Sequence, residues 1–101
     1  MQYGNEEGMV GGTTKSAHFA VRQVQRGVSD EMVALALRYG RRFYEGEDRV
    51  YFLGRRQMPG EIDPRVADRA NGTVVVVAPG EHLVTTYRNP RYVRTLKRRG
   101  H

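Results

Sequence analysis

The chain has 101 residues, of which 39% are hydrophobic and 28% charged, with a formal net charge of +6 and no cysteine. That size suits one small domain with a thin core, and the missing thiols exclude disulfides, thiolate nucleophiles and thiolate zinc sites. No apolar run approaches the roughly 18–20 residues that cross a bilayer, and residues 1–14 lack a basic-then-apolar export signal, so a cytoplasmic protein without membrane contact is expected.

Residues 1–13 contain four glycines and few large apolar groups, and read as a flexible leader. A helix is expected to start near Thr14 or Ser16, either of which can cap it. It should end at Gly27, where a left-handed position suits glycine and lets Val28 fold back. Within it Ala17, Ala20, Val21, Val24 and Val28 recur at i, i+3, i+4, i+7 and i+11, so this is the face expected to be buried. Ser29 then caps a second helix whose first turn carries Asp30 and Glu31, complementing the helix dipole. Met32, Val33, Ala36 and Leu37 supply its buried stripe, and Gly40 stops it.

Strand patterns follow. Arg41 to Tyr44 predicts a short first strand with residues 45–48 as its turn, and Arg49 to Met58 a longer one. The polar stretch from Pro59 to Gly72 holds a short helix over Asp63 to Arg69, with Pro64 at its first position. Thr73 to Ala78 reads as a strand buried on both faces. Pro79-Gly80-Glu81 turns the chain into a final strand, His82 to Arg88, which Asn89-Pro90 ends. The order implies an α+β fold: two N-terminal helices on a three- to four-stranded, mostly antiparallel sheet over residues 14–88, then a basic tail over 89–101.

Charge is unevenly spread. Thr14 to Tyr87 holds eleven basic and nine acidic residues, whereas Arg88, Arg91, Arg94, Lys97, Arg98 and Arg99 crowd the tail without an acid among them. Together with Lys15 these are candidate contacts to nucleic acid. An acidic protein, or plain solvent around a terminus, would suit the tail equally.

Chemistry is suggested by His18, Arg22 and Arg26, whose four-residue spacing sets one imidazole and two guanidinium groups in a row along the first helix. In the last strand, alternation puts Leu83, Thr85 and Tyr87 on one face. A helix packed across that face would bring His18 and Arg22 to two hydroxyl groups, although Thr and Tyr are favoured strand residues in any case. His82 and the turn carboxylates Glu45, Glu47, Asp48 and Glu81 read as surface groups. With His18 they show no metal-ligand spacing, so neither metal nor cofactor is expected.

The sequence His18-Phe19-Ala20-Val21-Arg22, the corner Gln25-Arg26-Gly27-Val28-Ser29 and the strand Val84-Thr85-Thr86-Tyr87 together resemble the domain-of-unknown-function family 4258. That family is typified by a His-x-x-x-Arg helix, an Arg-Gly-Ile/Val-Ser corner and a terminal Thr-x-Tyr strand. It is grouped by fold with metal-independent ribonucleases and toxins such as barnase, EndoU, the tRNA-cleaving colicins and the RelE-type toxins. The resemblance implies candidate active groups at His18, Arg22, Arg26, Thr85 and Tyr87. In such chemistry a 2′-hydroxyl attacks the neighbouring phosphorus, a base removes its proton and an acid protonates the leaving 5′-oxygen. His18 would be the base or acid, since imidazole titrates near ~6.5. Arg22 and Arg26 would bind phosphate, Thr85 would position it, and Tyr87 would donate a proton or stack on a base. A second proton carrier is not evident.

The expectation is therefore a metal-independent ribonuclease or toxin-related domain acting on RNA. Candidate targets are tRNA and ribosome-associated mRNA, and the implied protein partner is an acidic antitoxin. Two rivals stand beside it: a non-catalytic RNA- or ribosome-binding module, and a protein-interaction domain that holds an acidic partner.

Overall fold

A computed structural model describes residues 9–10 and 13–91, with side chains from residue 14 onward. Most of the leader, and the tail cations Arg94, Lys97, Arg98 and Arg99, lie outside the described residues. The architecture is α+β. Strands β1 (Met9–Val10) and β2 (Thr13–Lys15) precede helices α1 (Ala17–Arg26) and α2 (Asp30–Tyr39). Strands β3 (Arg41–Glu45) and β4 (Asp48–Leu53), a 3-10 turn (Arg55–Gln57), helix α3 (Pro64–Ala70), and strands β5 (Thr73–Ala78) and β6 (His82–Arg88) complete the order. The strands form one mixed sheet in the order β1-β2-β6-β5-β4-β3.

The four strands from β3 to β6 make an antiparallel meander, as expected. The sheet continues past β6 because β2 pairs with it in parallel, Thr14 against His82 and Lys15 against Leu83. Strand β1 then pairs antiparallel with β2. Part of the segment expected to be a leader therefore extends the sheet. Its Met9, Val10 and Thr13 lie in the β1–β2 pair, while Thr14 and Lys15, at the expected helix start, are strand and join β6, with the Thr14 N–H donated to the Glu81 carbonyl at 2.9 Å.

Both helix starts follow from serine caps. The Ser16 hydroxyl accepts the Phe19 N–H at 3.0 Å, and the Ser29 hydroxyl accepts the Met32 N–H at 3.2 Å. Met32 replies with its sulfur, which accepts the Ser29 N–H at 3.4 Å where a capping box usually has Glu or Gln. Gly27 adopts φ +65° and closes α1, leaving Val28 buried. Gly40 stops α2 for a different reason. Its backbone is extended, but a Cβ there would stand 2.4 Å from the Ala36 carbonyl oxygen.

The core lies between the sheet and the helices. Phe19, Val28, Met32, Val33, Ala36, Leu53, Ala70, Val75, Val77 and Leu83 form one buried cluster. A second cluster, Val50, Phe52 and Val74 with Phe43, Val76 and Tyr87 packed against it, occupies the other face of the sheet.

Three expectations are corrected. Helix α1 buries Phe19 and Gln23, and of the expected stripe only Val28 is buried, with Ala20 half-buried; Ala17 is exposed, Val21 52% and Val24 84% exposed. One phenylalanine seated between the sheet and α2 outweighs several small side chains, because burial scales with apolar area. The strand expected to run to Met58 ends at Leu53, where the chain bends and the Gly54 N–H is taken by the Gln57 side-chain oxygen at 2.8 Å. The third concerns β6, which carries a bulge at Val84: Val76 pairs with Thr85 but Val77 with Leu83.

Candidate functional site

That bulge decides where the expected catalytic groups sit. One inserted residue reverses the alternation of everything beyond it. Leu83 and Thr86 share the helix face, with Thr86 buried and donating its hydroxyl to the Val74 carbonyl at 2.7 Å. Thr85 and Tyr87 pair with Val76 and Val74 and share the opposite face. Helix α1, with His18, Arg22 and Arg26, packs on the first face. The structure brings the helix row together and brings Thr85 and Tyr87 together, but it separates the two sets by the thickness of the sheet.

Within the row, the Arg22 Nε–H donates to His18 Nε2 at 3.2 Å and an Arg22 terminal nitrogen donates to the Gln25 oxygen at 3.2 Å. With Nε2 accepting, the imidazole carries its proton on Nδ1. The lone pair that a general base would use is thereby engaged. Arg26 is exposed at the end of the helix.

Other expected nucleic-acid contacts have structural roles. The Lys15 side chain is only 13% exposed, and its ammonium donates to the Gln23 oxygen and to Asp30, each at 3.0 Å. Gln23 completes the network by donating to Asp30 at 2.9 Å and to the Val28 carbonyl at 3.1 Å. These bonds join β2, α1 and α2. Those from Gln23 and Lys15 hold the Asp30 carboxyl below its ordinary value of 3.8, burial opposing them in part. Arg88 donates to the Asn71 carbonyl at 3.0 Å and to the Asp68 carbonyl at 3.5 Å, capping the end of α3. Arg91 donates its backbone N–H to the Asn89 side chain at 3.1 Å.

The most chemically suggestive surface was not among the expected sites. A cleft of about 370 Å³ opens where β4 ends, lined by Arg41, Phe52, Gly54, Arg55, Arg56, Gln57, Asn71 and Pro90. Three guanidinium groups line it and no acid does; Arg55 is paired with Asp68 nearby. Arg41 and Arg56 are exposed. The two amides are polarised by their neighbours. Gln57 spends its oxygen on the Gly54 N–H, and Asn71 spends its oxygen on the Arg55 N–H at 3.1 Å. Both therefore keep their NH₂ groups as donors. The result is an acid-free pocket of guanidinium and amide groups beside Phe52, which is chemistry suited to an anion. Gly54 is required there: a Cβ would stand 2.9 Å from the Phe52 ring. The sequence signal was the Gly54-Arg55-Arg56-Gln57 run, which a strand continued to Met58 concealed.

Among the described residues no cluster of three His, Asp or Glu side chains could hold a metal, and no helix is long and apolar enough to cross a membrane. The chain matches no family model, no curated protein and no solved structure. Its class is thus stated from its own geometry: an α+β domain with helices on one face of a mixed sheet and an acid-free arginine cleft at one end.

Proposed function

We propose that the chain is an RNA-binding module that holds the phosphate backbone in the Arg41–Arg56 cleft. The observation that supports this is the cleft's acid-free lining: three arginines and two amides whose oxygens each accept a backbone N–H. A net charge of +6 adds long-range attraction for a polyanion. Phe52 and Pro90 give the pocket the apolar wall against which a base or sugar rests.

The test is binding of a single-stranded RNA oligonucleotide to the full chain over a range of salt. Arg41→Ala and Arg56→Ala should each weaken binding across all sequences and lower the salt slope by about 1. The proposal fails if both variants bind like the parent.

Ribonuclease chemistry is the second reading, and one observation favours a particular site for it. Tyr87 shares a rung of the sheet with Arg41 and Phe52, through Val74, on the face away from the helices. A metal-free cleavage site of the barnase, EndoU or RelE kind, within a fold akin to theirs, would be built on that face around Tyr87, Thr85 and Arg41. Cleavage of RNA in the presence of a chelator that survives His18→Ala but not Tyr87→Phe supports this reading. The absence of cleavage in the parent leaves the binding module alone.

A further inference from the structure

Helix α1 is turned inside out relative to its own sequence. On a helical wheel, Ala17, Val21 and Val24 stand opposite Phe19 and Gln23, with Ala20 beside them. Phe19 and Gln23 are buried; Val24 is 84% exposed, Val21 52%, and Ala17 is exposed as well. The outward residues lie at i, i+3, i+4 and i+7, the spacing by which one helix anchors in another's groove. Beside them runs an open groove of about 460 Å³, lined by Ala20, Val24, Gly27 and Val28. Its single carboxylate, Asp30, is already bound by Lys15 and Gln23. Small side chains along such a stripe permit close approach of a second backbone.

Charge identifies the occupant. From Thr13 to Ser29 there is no Asp or Glu, while His18 and Arg22 lie along one side of the stripe and Arg26 at the end of the helix. Two copies of α1 packed antiparallel would set these rows against each other, like charge facing like. A helix with apolar residues at matching spacing and carboxylates at its margin meets the valines with its apolar face and the arginines with its acids.

We propose that the outward face of α1 is a docking surface for an acidic amphipathic helix of a partner protein. The surface is separate from the arginine cleft, so it can hold its partner whether or not the cleft holds RNA.

The experiment uses the full chain and a synthetic helical peptide with leucine on one face and glutamate on both flanks. Two controls replace the glutamates by lysine or the leucines by serine. Anisotropy reports affinity, and backbone amide NMR reports location. The glutamate–leucine peptide should bind with shifts confined to residues 17–28, and both controls should bind far more weakly. A Val21→Ser/Val24→Ser double variant should lose at least about tenfold in affinity, since each valine contributes burial only in the complex. Its thermal midpoint should match the parent's, because both side chains face solvent. The proposal is overturned by peptide binding that ignores the double variant, by equal binding of the lysine peptide, or by no binding. It is also overturned by a dimer of this chain that the double variant dissolves, or by an RNA oligonucleotide whose binding depends on the two valines.

Discussion

The orientation of α1 governs both the fate of the His18 row and the docking surface, and a pair of alanine substitutions tests it. Phe19 is fully buried in the cluster between the sheet and α2. Truncating it to alanine removes a ring from a close-packed site, a change that costs about 3–5 kcal/mol. A domain of this size has about 5–15 kcal/mol of stability in all, so Phe19→Ala should lower the thermal midpoint by more than about 10 °C. Val24 is the opposite case. With most of its surface in water, Val24→Ala forfeits little burial and gains a few tenths of a kcal/mol in helix propensity, giving a net change within about 0.5 kcal/mol of zero. Urea unfolding followed by circular dichroism reads both. If Val24→Ala costs more than about 2 kcal/mol while Phe19→Ala costs less than about 1, the helix is docked by its valine stripe and the argument from orientation is wrong.

Asp30 gives a pH prediction. Its carboxyl is held below the ordinary value by bonds from Gln23 and Lys15, so the native state favours the ionised form more than the unfolded chain does. The stabilisation is complete above 3.8 and is lost as pH falls through the lower native value. Because the Asp30 side chain is 64% exposed, solvent screening keeps the effect below about 1 kcal/mol. Asp30→Asn should flatten that acid limb of the urea midpoint; an unchanged limb would show that the network does not set it. Gly72 gives a structural one. It adopts φ +89°, and a Cβ would stand 2.7 Å from the Pro90 nitrogen. Gly72→Ala should destabilise the fold by at least about 1 kcal/mol and, by displacing Pro90 from the cleft wall, weaken RNA binding as well. Parent-like stability and binding would refute the contact.

Local chemistry was legible in the sequence wherever a residue acts on its own backbone. Ser16 and Ser29 cap, Gly27 closes α1, Pro64 opens α3 after Asp63, and β5 and β6 occupy the segments expected of them. What the sequence concealed were choices between competing partners. The α1 pattern offers an alanine–valine stripe and a Phe19–Gln23 pair, and only tertiary packing selects the second. Thr13–Lys15 has ordinary strand composition, but nothing local says that the free edge of β6 will take it. The cleft was hidden in a similar way. Arg41, Arg56 and Asn71 are far apart in the chain, and they meet because β4 stops at Gly54 and α3 returns the chain beside it.

The Val84 bulge has the largest consequence of these. Without it, Leu83, Thr85 and Tyr87 would share the helix face and the hydroxyls would approach α1, as simple alternation requires. With it, Thr85 and Tyr87 join the face of Phe52 and Arg41. Strands stand about 4.8 Å apart, so three steps across the sheet put the Tyr87 and Arg41 backbones about 14 Å from each other. The two residues therefore mark the two ends of one rung on the face away from the helices. One extra residue in β6 thus moves Thr85 and Tyr87 from the helix face, where simple alternation puts them, to the opposite face. The His18–Arg22–Arg26 row stays with α1 on the other side of the sheet, so the helix row and the Thr85–Tyr87 pair cannot line one cleft.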